Sequence, residues 1–134
     1  MPGEFLDTNI MVYAFTTDPR AGAAQALLGR GCATSVQALN EFTNVARRKL
    51  GMTWREVHEA LSAIRTVCRT ILPVDIEIHA DALRIAERYG YTIFDALMIA
   101  AALRARCTVL YFGGHAGRHV DPGRLRIVDP YRDP

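Results

Sequence analysis

The sequence has few cysteines, few aromatic residues and no long hydrophobic run. Its three cysteines are an odd number at wide spacing, and no two of them have zinc-finger spacing, so we expect reduced, buried thiols. The longest apolar run, residues 96–103, is far shorter than the about 20 residues of a membrane span. Because Glu4 and Asp7 interrupt the first apolar residues, no signal peptide is expected. We therefore predict a cytoplasmic protein with no membrane partner.

The sequence also lacks a strong excess of charge of either sign. Its formal net charge is +2, which neither requires nor excludes a polyanionic partner. Half of its 134 residues are hydrophobic, and no linker, repeat or low-complexity segment divides them. We therefore expect one domain over residues 1–134.

Strand and helix signals alternate along the chain. Short strands are predicted at residues 4–6, 32–34, 70–72, 107–112 and 125–128, and residues 113–123 are predicted to form a loop. Helices are predicted at residues 10–15, 20–28, 36–50, 54–69 and 76–89, and from the Thr92 cap to residue 106. This order predicts an α/β fold in which helices cover both faces of a central, mostly parallel sheet.

Three acidic residues lie where such a sheet places ligands. Asp7 follows the first strand, Glu41 lies in the helix after the second, and Asp95 begins the helix before the strand at 107–112. Sites in parallel sheets gather beyond the carboxyl ends of the strands. If the fold brings these carboxylates together, a cation must neutralise them, and oxygen-only ligation favours Mg²⁺ or Mn²⁺ over Zn²⁺. Such a site can activate water for phosphodiester hydrolysis.

Each acid also has a purely structural interpretation. Asp7 opens Asp7-Thr8-Asn9, which is an ordinary turn and cap cluster. Glu41 lies on a predicted solvated helix face, opposite an apolar stripe of Val36, Leu39, Phe42, Ala46 and Leu50. Asp95 can cap a buried helix. Taken singly, each acid favours the structural interpretation, so the metal-site hypothesis depends on the set.

Four segments stand in a specific order and spacing: Phe5-Leu6-Asp7-Thr8-Asn9, residues 35–42 running into Arg47-Arg48-Lys49, residues 94–101, and residues 125–130. In this order the chain resembles PIN-domain ribonucleases, in particular the VapC-type toxins of bacterial toxin–antitoxin pairs. The resemblance implies a PIN-like three-layer α/β/α fold, Mg²⁺- or Mn²⁺-dependent cleavage of RNA, a cognate antitoxin and a homodimer. It assigns Asp7, Glu41 and Asp95 as catalytic, metal-binding acids and Asn9 as a supporting hydrogen-bonding residue.

The chain departs from this family after the strand at 107–112. The family commonly has a Ser/Thr-Glu-Asp stretch there, whose Asp completes four acids, whereas this chain reads Phe112-Gly113-Gly114-His115. Gly114 is thus the position of the missing fourth acid. A second ion, about 3.5–4 Å from the first in two-metal enzymes, would be harder to retain, so we expect weaker metal affinity or reduced activity.

The alternative function is a catalytically impaired PIN-like module that binds RNA or its partner. A phosphotransferase of the haloacid-dehalogenase kind is disfavoured, because it needs an acid at Asn9.

Basic residues gather in the C-terminal part of the sequence: Arg104, Arg106, Arg118, Arg124 and Arg126. Residues of this kind bind RNA phosphates, although a solvated surface or an acidic partner segment fits them equally well. The run Arg47-Arg48-Lys49 ends a predicted helix, where cations complement the helix dipole.

Overall fold

A six-stranded sheet organises the chain in the computed structural model, which describes residues 3–113, 118–120 and 124–132. Its strands are β1 (Glu4–Leu6), β2 (Ala33–Ser35), β3 (Thr70–Leu72), β4 (Val109–Tyr111), β5 (Arg118–Val120) and β6 (Leu125–Val128). They lie in the order β3-β2-β1-β4-β6-β5, in which every pairing is parallel except that of β5 with β6.

Helices fill the connections from β1 through to β4. They are α1 (Thr8–Ala14), α2 (Ala21–Leu28), α3 (Val36–Arg48), α4 (Trp54–Val67), α5 (Ile76–Tyr89) and α6 (Ile93–Arg104). Helix α1 packs on α2 and α3, whereas α5 packs along α6. The predicted α/β/α architecture with a mostly parallel sheet is therefore confirmed.

Side-chain caps fix where several helices begin. The Ser35 hydroxyl accepts the Ala38 N–H at 3.2 Å and starts α3. Thr53 and Glu56 form a reciprocal capping box at the start of α4. These signals are local in sequence, so the predicted helices agree with the observed ones to within one or two residues at each end.

The core lies around the central strands and α6. Phe5, Leu6 and Leu110 are fully buried, and residues 96–102 of α6 are buried on every side, so α6 is a core helix rather than an amphipathic one. The three cysteines are buried free thiols, as predicted. Among the described residues, no helix combines the length and apolar character needed to cross a membrane.

The prediction of a loop over residues 113–123 is wrong for residues 118–120. They form β5, whose backbone pairs antiparallel with β6, with Arg118 opposite Ile127. A three-residue edge strand has too few positions to show the alternation that marks a strand. Its pairing comes from the neighbouring β6 rather than from its own sequence.

The predicted apolar stripe of α3 is wrong in part. Val36 is 38% exposed, whereas the buried residues of the helix are Ala38, Phe42 and Ala46. These three lie at i, i+4 and i+8 and form the face turned to the core. The buried face is therefore rotated toward Glu41, which is half-buried rather than on a fully solvated face.

Candidate active site

The strand order creates a crevice at the carboxyl ends of β1 and β4. From β1 the chain moves to β2 and β3 on one side, and then returns to place β4 on the other side. Such a reversal leaves an open crevice beyond the strand ends. Asp7 follows β1 directly, and its N–H donates to the Tyr111 carbonyl at 3.2 Å. The first acid therefore lies where a parallel sheet most often binds a ligand.

Asp7 is the buried N-cap of α1. Its carboxylate accepts the backbone N–H of Asn9 at 3.5 Å, and the side chain is buried. The neighbouring Thr8 hydroxyl donates to the Ala38 carbonyl at 3.3 Å, which ties α1 to α3. The predicted cap at Asp7-Thr8-Asn9 is thus present, and it fixes the Asp7 carboxylate at the mouth of the crevice.

Glu41 lies on α3 beside Asp7. The Gln37 side-chain amide donates to Oε2 of Glu41 at 2.9 Å. Both acids line an open cleft of about 670 Å³, which also contains Asn9. Small-molecule sites commonly measure roughly 300–1,000 Å³, so this cleft has room for a nucleotide unit.

Asp95 occupies the first turn of α6. Its backbone N–H donates to the Thr92 hydroxyl at 3.2 Å, which confirms Thr92 as the helix cap. The carboxylate is half-buried, and its negative charge raises the pKa of both Asp7 and Glu41. The fold therefore brings all three predicted acids within electrostatic reach of one another.

The electrostatics of the cluster follow from burial and like charge. Burial, with added repulsion from Glu41 and Asp95, raises the pKa of Asp7 from 3.8 to about 7, although the N–H groups of Thr8 and Asn9 oppose the shift. Burial likewise raises the pKa of Glu41, with the Gln37 hydrogen bond opposing and the Asp95 charge adding to the rise. Carboxylates in this state are stabilised in their charged form by a nearby cation.

The donor chemistry of the cluster suits a hard divalent cation, but its spacing is open. Among the described residues, no three His, Cys, Asp or Glu side chains are close enough to hold one metal ion. Oε2 of Glu41 accepts a hydrogen bond from the Gln37 amide, which would compete with an ion for that oxygen. Oδ1 of Asn9 is buried and has no hydrogen-bond partner among the described residues. It adds an amide oxygen to the three carboxylates, and oxygen donors of this kind fit Mg²⁺ or Mn²⁺.

Asn9 packs against the residue that follows β4. A Cβ atom built on Gly113 would lie 2.8 Å from Cγ of Asn9, closer than real Cβ contacts come. The Asn9 amide thus occupies the space that a side chain at position 113 would need. Gly114, the predicted position of the missing fourth acid, lies outside the described residues.

Lys49 is a cleft residue that the sequence interpretation missed. It lines the same cleft as Asp7 and Glu41, together with Val45. The run ending in Lys49 does lie at the end of α3, where cations suit the helix dipole. However, residues 41, 45 and 49 are spaced four apart, so they share one face of α3. This spacing was the available signal that Lys49 faces the same cleft as Glu41.

The family of the chain follows from its sequence as well as its fold. A family model described as the PIN domain matches residues 5–120, so the chain belongs to the PIN domain family. No curated protein matches the chain significantly in sequence.

Solved structures of a toxin and of toxin–antitoxin proteins share this fold. VapC20 of Mycobacterium tuberculosis, described as a sarcin–ricin loop cleaving toxin, is 25% identical, with a TM-score of 0.68 over 83% of this chain and 90% of that one. A toxin–antitoxin complex from Klebsiella pneumoniae is 21% identical, with a TM-score of 0.73 over 96% and 98% of the two chains. VapBC2 of Rickettsia felis, bound to a promoter DNA fragment, is 19% identical, with a TM-score of 0.62 over 92% and 96%. The predicted resemblance to VapC-type PIN domains is confirmed.

Proposed function

We propose that this chain is a Mg²⁺- or Mn²⁺-dependent endoribonuclease that acts as the toxin of a toxin–antitoxin pair. The observation that carries the proposal is that Asp7, Glu41 and Asp95 lie within electrostatic reach of one another in a PIN-family domain. RNA as the substrate is supported by VapC20, which is 25% identical and is described as cleaving the sarcin–ricin loop.

In this proposal the acids and Asn9 bind the cation, and Lys49 binds the phosphate. Asp7, fixed as a helix cap, would hold the cation together with Glu41, Asp95 and the Asn9 amide oxygen. When bound, the cation would lower the pKa of a water and neutralise charge on the phosphate. Asp7 must release its proton to serve as a ligand, because its pKa near 7 leaves it partly protonated at neutral pH. The Lys49 ammonium, which lines the same cleft, is suited to hold a phosphate oxygen by charge.

Cleavage of labelled RNA by the purified chain tests this proposal. We expect cleavage with Mn²⁺ or Mg²⁺ that stops when the metal is chelated. Asp7→Asn and Asp95→Asn should each lower the rate at least about a hundredfold, as loss of a charge-stabilising group commonly does. Glu59→Gln is the matched control, since Glu59 is an exposed acid on α4 that pairs with Arg55. Equal rates for all four proteins, or no metal-dependent cleavage of any RNA offered, would exclude the enzyme.

We further propose that a cognate antitoxin inhibits the chain in the cytoplasm and that the chain is a homodimer. The antitoxin is supported by structural neighbours that are toxin–antitoxin complexes. Induced expression should arrest growth, and co-expression of the cognate antitoxin should relieve the arrest. The homodimer is implied by the family resemblance, and the mass in solution from light scattering tests it separately.

A catalytically impaired binding module is the second candidate. It is favoured by the glycine at position 114 and by the open spacing of the three acids. Gly114→Asp would restore a fourth acid. Under the impaired-module hypothesis the chain binds RNA without cutting, and Gly114→Asp confers a large gain in cleavage. If cleavage by the parent is already strong and Gly114→Asp leaves it unchanged, this candidate is excluded.

A further inference from the structure

A second cleft, formed by α5, α6 and the residue that precedes β6, is lined by arginines. The cleft measures about 510 Å³, and we call it the arginine cleft after Arg84, Arg88, Arg104, Arg106 and Arg124. Arg104 lies nine residues after Asp95 along α6, which corresponds to about 14 Å at the rise of an α-helix. The arginine cleft is therefore distinct from the acidic cluster, which lies at the opposite end of α6.

Positive charge dominates the arginine cleft. Asp81 is the acid among its lining residues, and it pairs with Arg84 and, at 3.1 Å, with Arg104. Arg104 also approaches Glu77 at 3.6 Å. Arg88 lies over the ring of Tyr89, 5.4 Å from its centroid. Among the described residues, five arginines and one acid thus line a concave surface, and this excess of positive charge suits an anion.

Arg106 ends α6 in a backbone conformation that normally holds glycine. Arg106 has φ 60°, and its N–H donates to the Leu103 carbonyl while that of Cys107 donates to Ala102. This pattern is a Schellman motif, whose left-handed position normally holds glycine. Helix α5 follows the rule, since it ends at Gly90 with φ 77°. An arginine at this position costs roughly 1 kcal/mol in backbone strain, and the structure retains it where it lines the arginine cleft.

We propose that the arginine cleft is an exosite that binds the phosphate backbone of the RNA substrate away from the cleavage site. This proposal rests on the proposed nuclease function. Without a bound cation the acidic cluster repels phosphates, and among the described residues Lys49 is the cationic side chain that lines its cleft, so cationic residues elsewhere on the surface would add affinity for RNA. Planar guanidinium groups bind phosphate oxygens in pairs, which favours RNA as the occupant. An acidic segment of a partner protein is the competing occupant.

Salt-dependent RNA binding by an inactivated chain tests the exosite. Fluorescence anisotropy with a labelled single-stranded RNA would be measured in the Asp95→Asn background over a range of KCl concentrations. Arg88→Ala and Arg106→Gly together should raise Kd about tenfold and reduce the slope of log K against log salt by about 1.4, since each lost phosphate contact removes about 0.7. Arg55→Ala is the matched control, because Arg55 is exposed on α4 outside the cleft.

Arg106→Gly separates binding from folding. Glycine suits the left-handed backbone at this position, so the variant should raise Tm by about 3 °C while it weakens RNA binding. A chain whose RNA affinity and salt slope are unchanged by both arginine substitutions overturns the exosite, as does a parent that fails to bind RNA at low salt. If the two arginine substitutions abolish binding to an acidic peptide but leave RNA binding intact, the exosite is also overturned, and the cleft is assigned to a protein partner. Metal-dependent cleavage by the active parent is measured separately, so failure of the nuclease and failure of the exosite give different results.

Discussion

The Asn9 side chain occupies the space that a side chain at Gly113 would need, after β1 and β4 respectively. A Cβ atom at position 113 would lie 2.8 Å from Cγ of Asn9, and Oδ1 of Asn9 is buried without a hydrogen-bond partner among the described residues. The glycine therefore allows the amide to lie in the crevice beside the acids. This contact couples the segment after β4 to the proposed metal site.

Gly113→Ala tests this coupling. The added methyl group must displace the Asn9 side chain, so we expect metal affinity and RNA cleavage to fall about tenfold or more, with a stability loss of about 1 kcal/mol. In an Asn9→Ala background the same substitution should cost almost nothing, because the clashing amide is absent. A double-mutant cycle of unfolding free energies and metal affinities measures the coupling. Additive effects would show that the two residues act independently.

The sequence predicts the elements of this site better than their contacts. The capping box at Thr53 and the cap at Thr92 act within four residues, so local pattern sufficed to place both helices. The Asn9–Gly113 contact joins residues about a hundred positions apart and depends on β1 pairing with β4. The half-buried position of Glu41 likewise depends on how α3 is rotated against the core, which local periodicity predicted wrongly.

Asp7→Asn should stabilise the metal-free protein at high pH. Burial and the neighbouring acids raise the pKa of Asp7 from 3.8 to about 7, so the folded state binds a proton more tightly than the unfolded state does. That contribution to stability is complete below pH 3.8 and is lost as the pH rises through 7, a loss of roughly 4 kcal/mol. The amide of the Asp7→Asn variant has no charge at any of these pH values, so the variant does not lose this stability. Urea unfolding with a chelator at pH 5 and pH 8 measures the free energy of unfolding of both proteins. The difference in favour of the variant should grow with pH, and an equal difference at both pH values would contradict the prediction.

A bound divalent cation should make the parent protein more stable than the Asp7→Asn variant. Metal bound to the folded parent stabilises it by mass action, whereas Asp7→Asn lacks a ligand and gains little. Because Asp7 must lose its proton first, affinity for Mn²⁺ should fall about tenfold per pH unit below pH 7. Calorimetric titrations at several pH values, in buffers of different ionisation enthalpy, measure both the affinity and the released proton. A pH-independent affinity between pH 5.5 and 7 would show that Asp7 is not a ligand.

Lys49→Ala should weaken RNA cleavage without affecting the fold. Lys49 is exposed and lines the cleft of Asp7 and Glu41, so it is placed to bind a phosphate. We expect kcat/KM to fall about tenfold, which corresponds to the loss of one charge-assisted contact. Arg48→Ala is the control, since Arg48 is an adjacent exposed cation that does not line the cleft. Equal losses for the two variants would indicate a general charge effect rather than a contact in the cleft.

Mild oxidation should join Cys32 to Cys68 and leave Cys107 as a thiol. The two Sγ atoms are 3.2 Å apart, and the hydrogen bond between them lowers the pKa of Cys68, which favours Cys68 as the attacking thiolate. Diamide would accept the two hydrogens released when the bond forms. The closed loop contains α3 and Glu41, and closing it should stabilise the chain by roughly 3–4 kcal/mol.

The number of free thiols titrated in denaturant should fall from three to one after oxidation. Cys68→Ser should abolish the stability gain, whereas Cys107→Ser should not. Oxidation that consumes Cys107 instead would show that proximity does not determine the pairing.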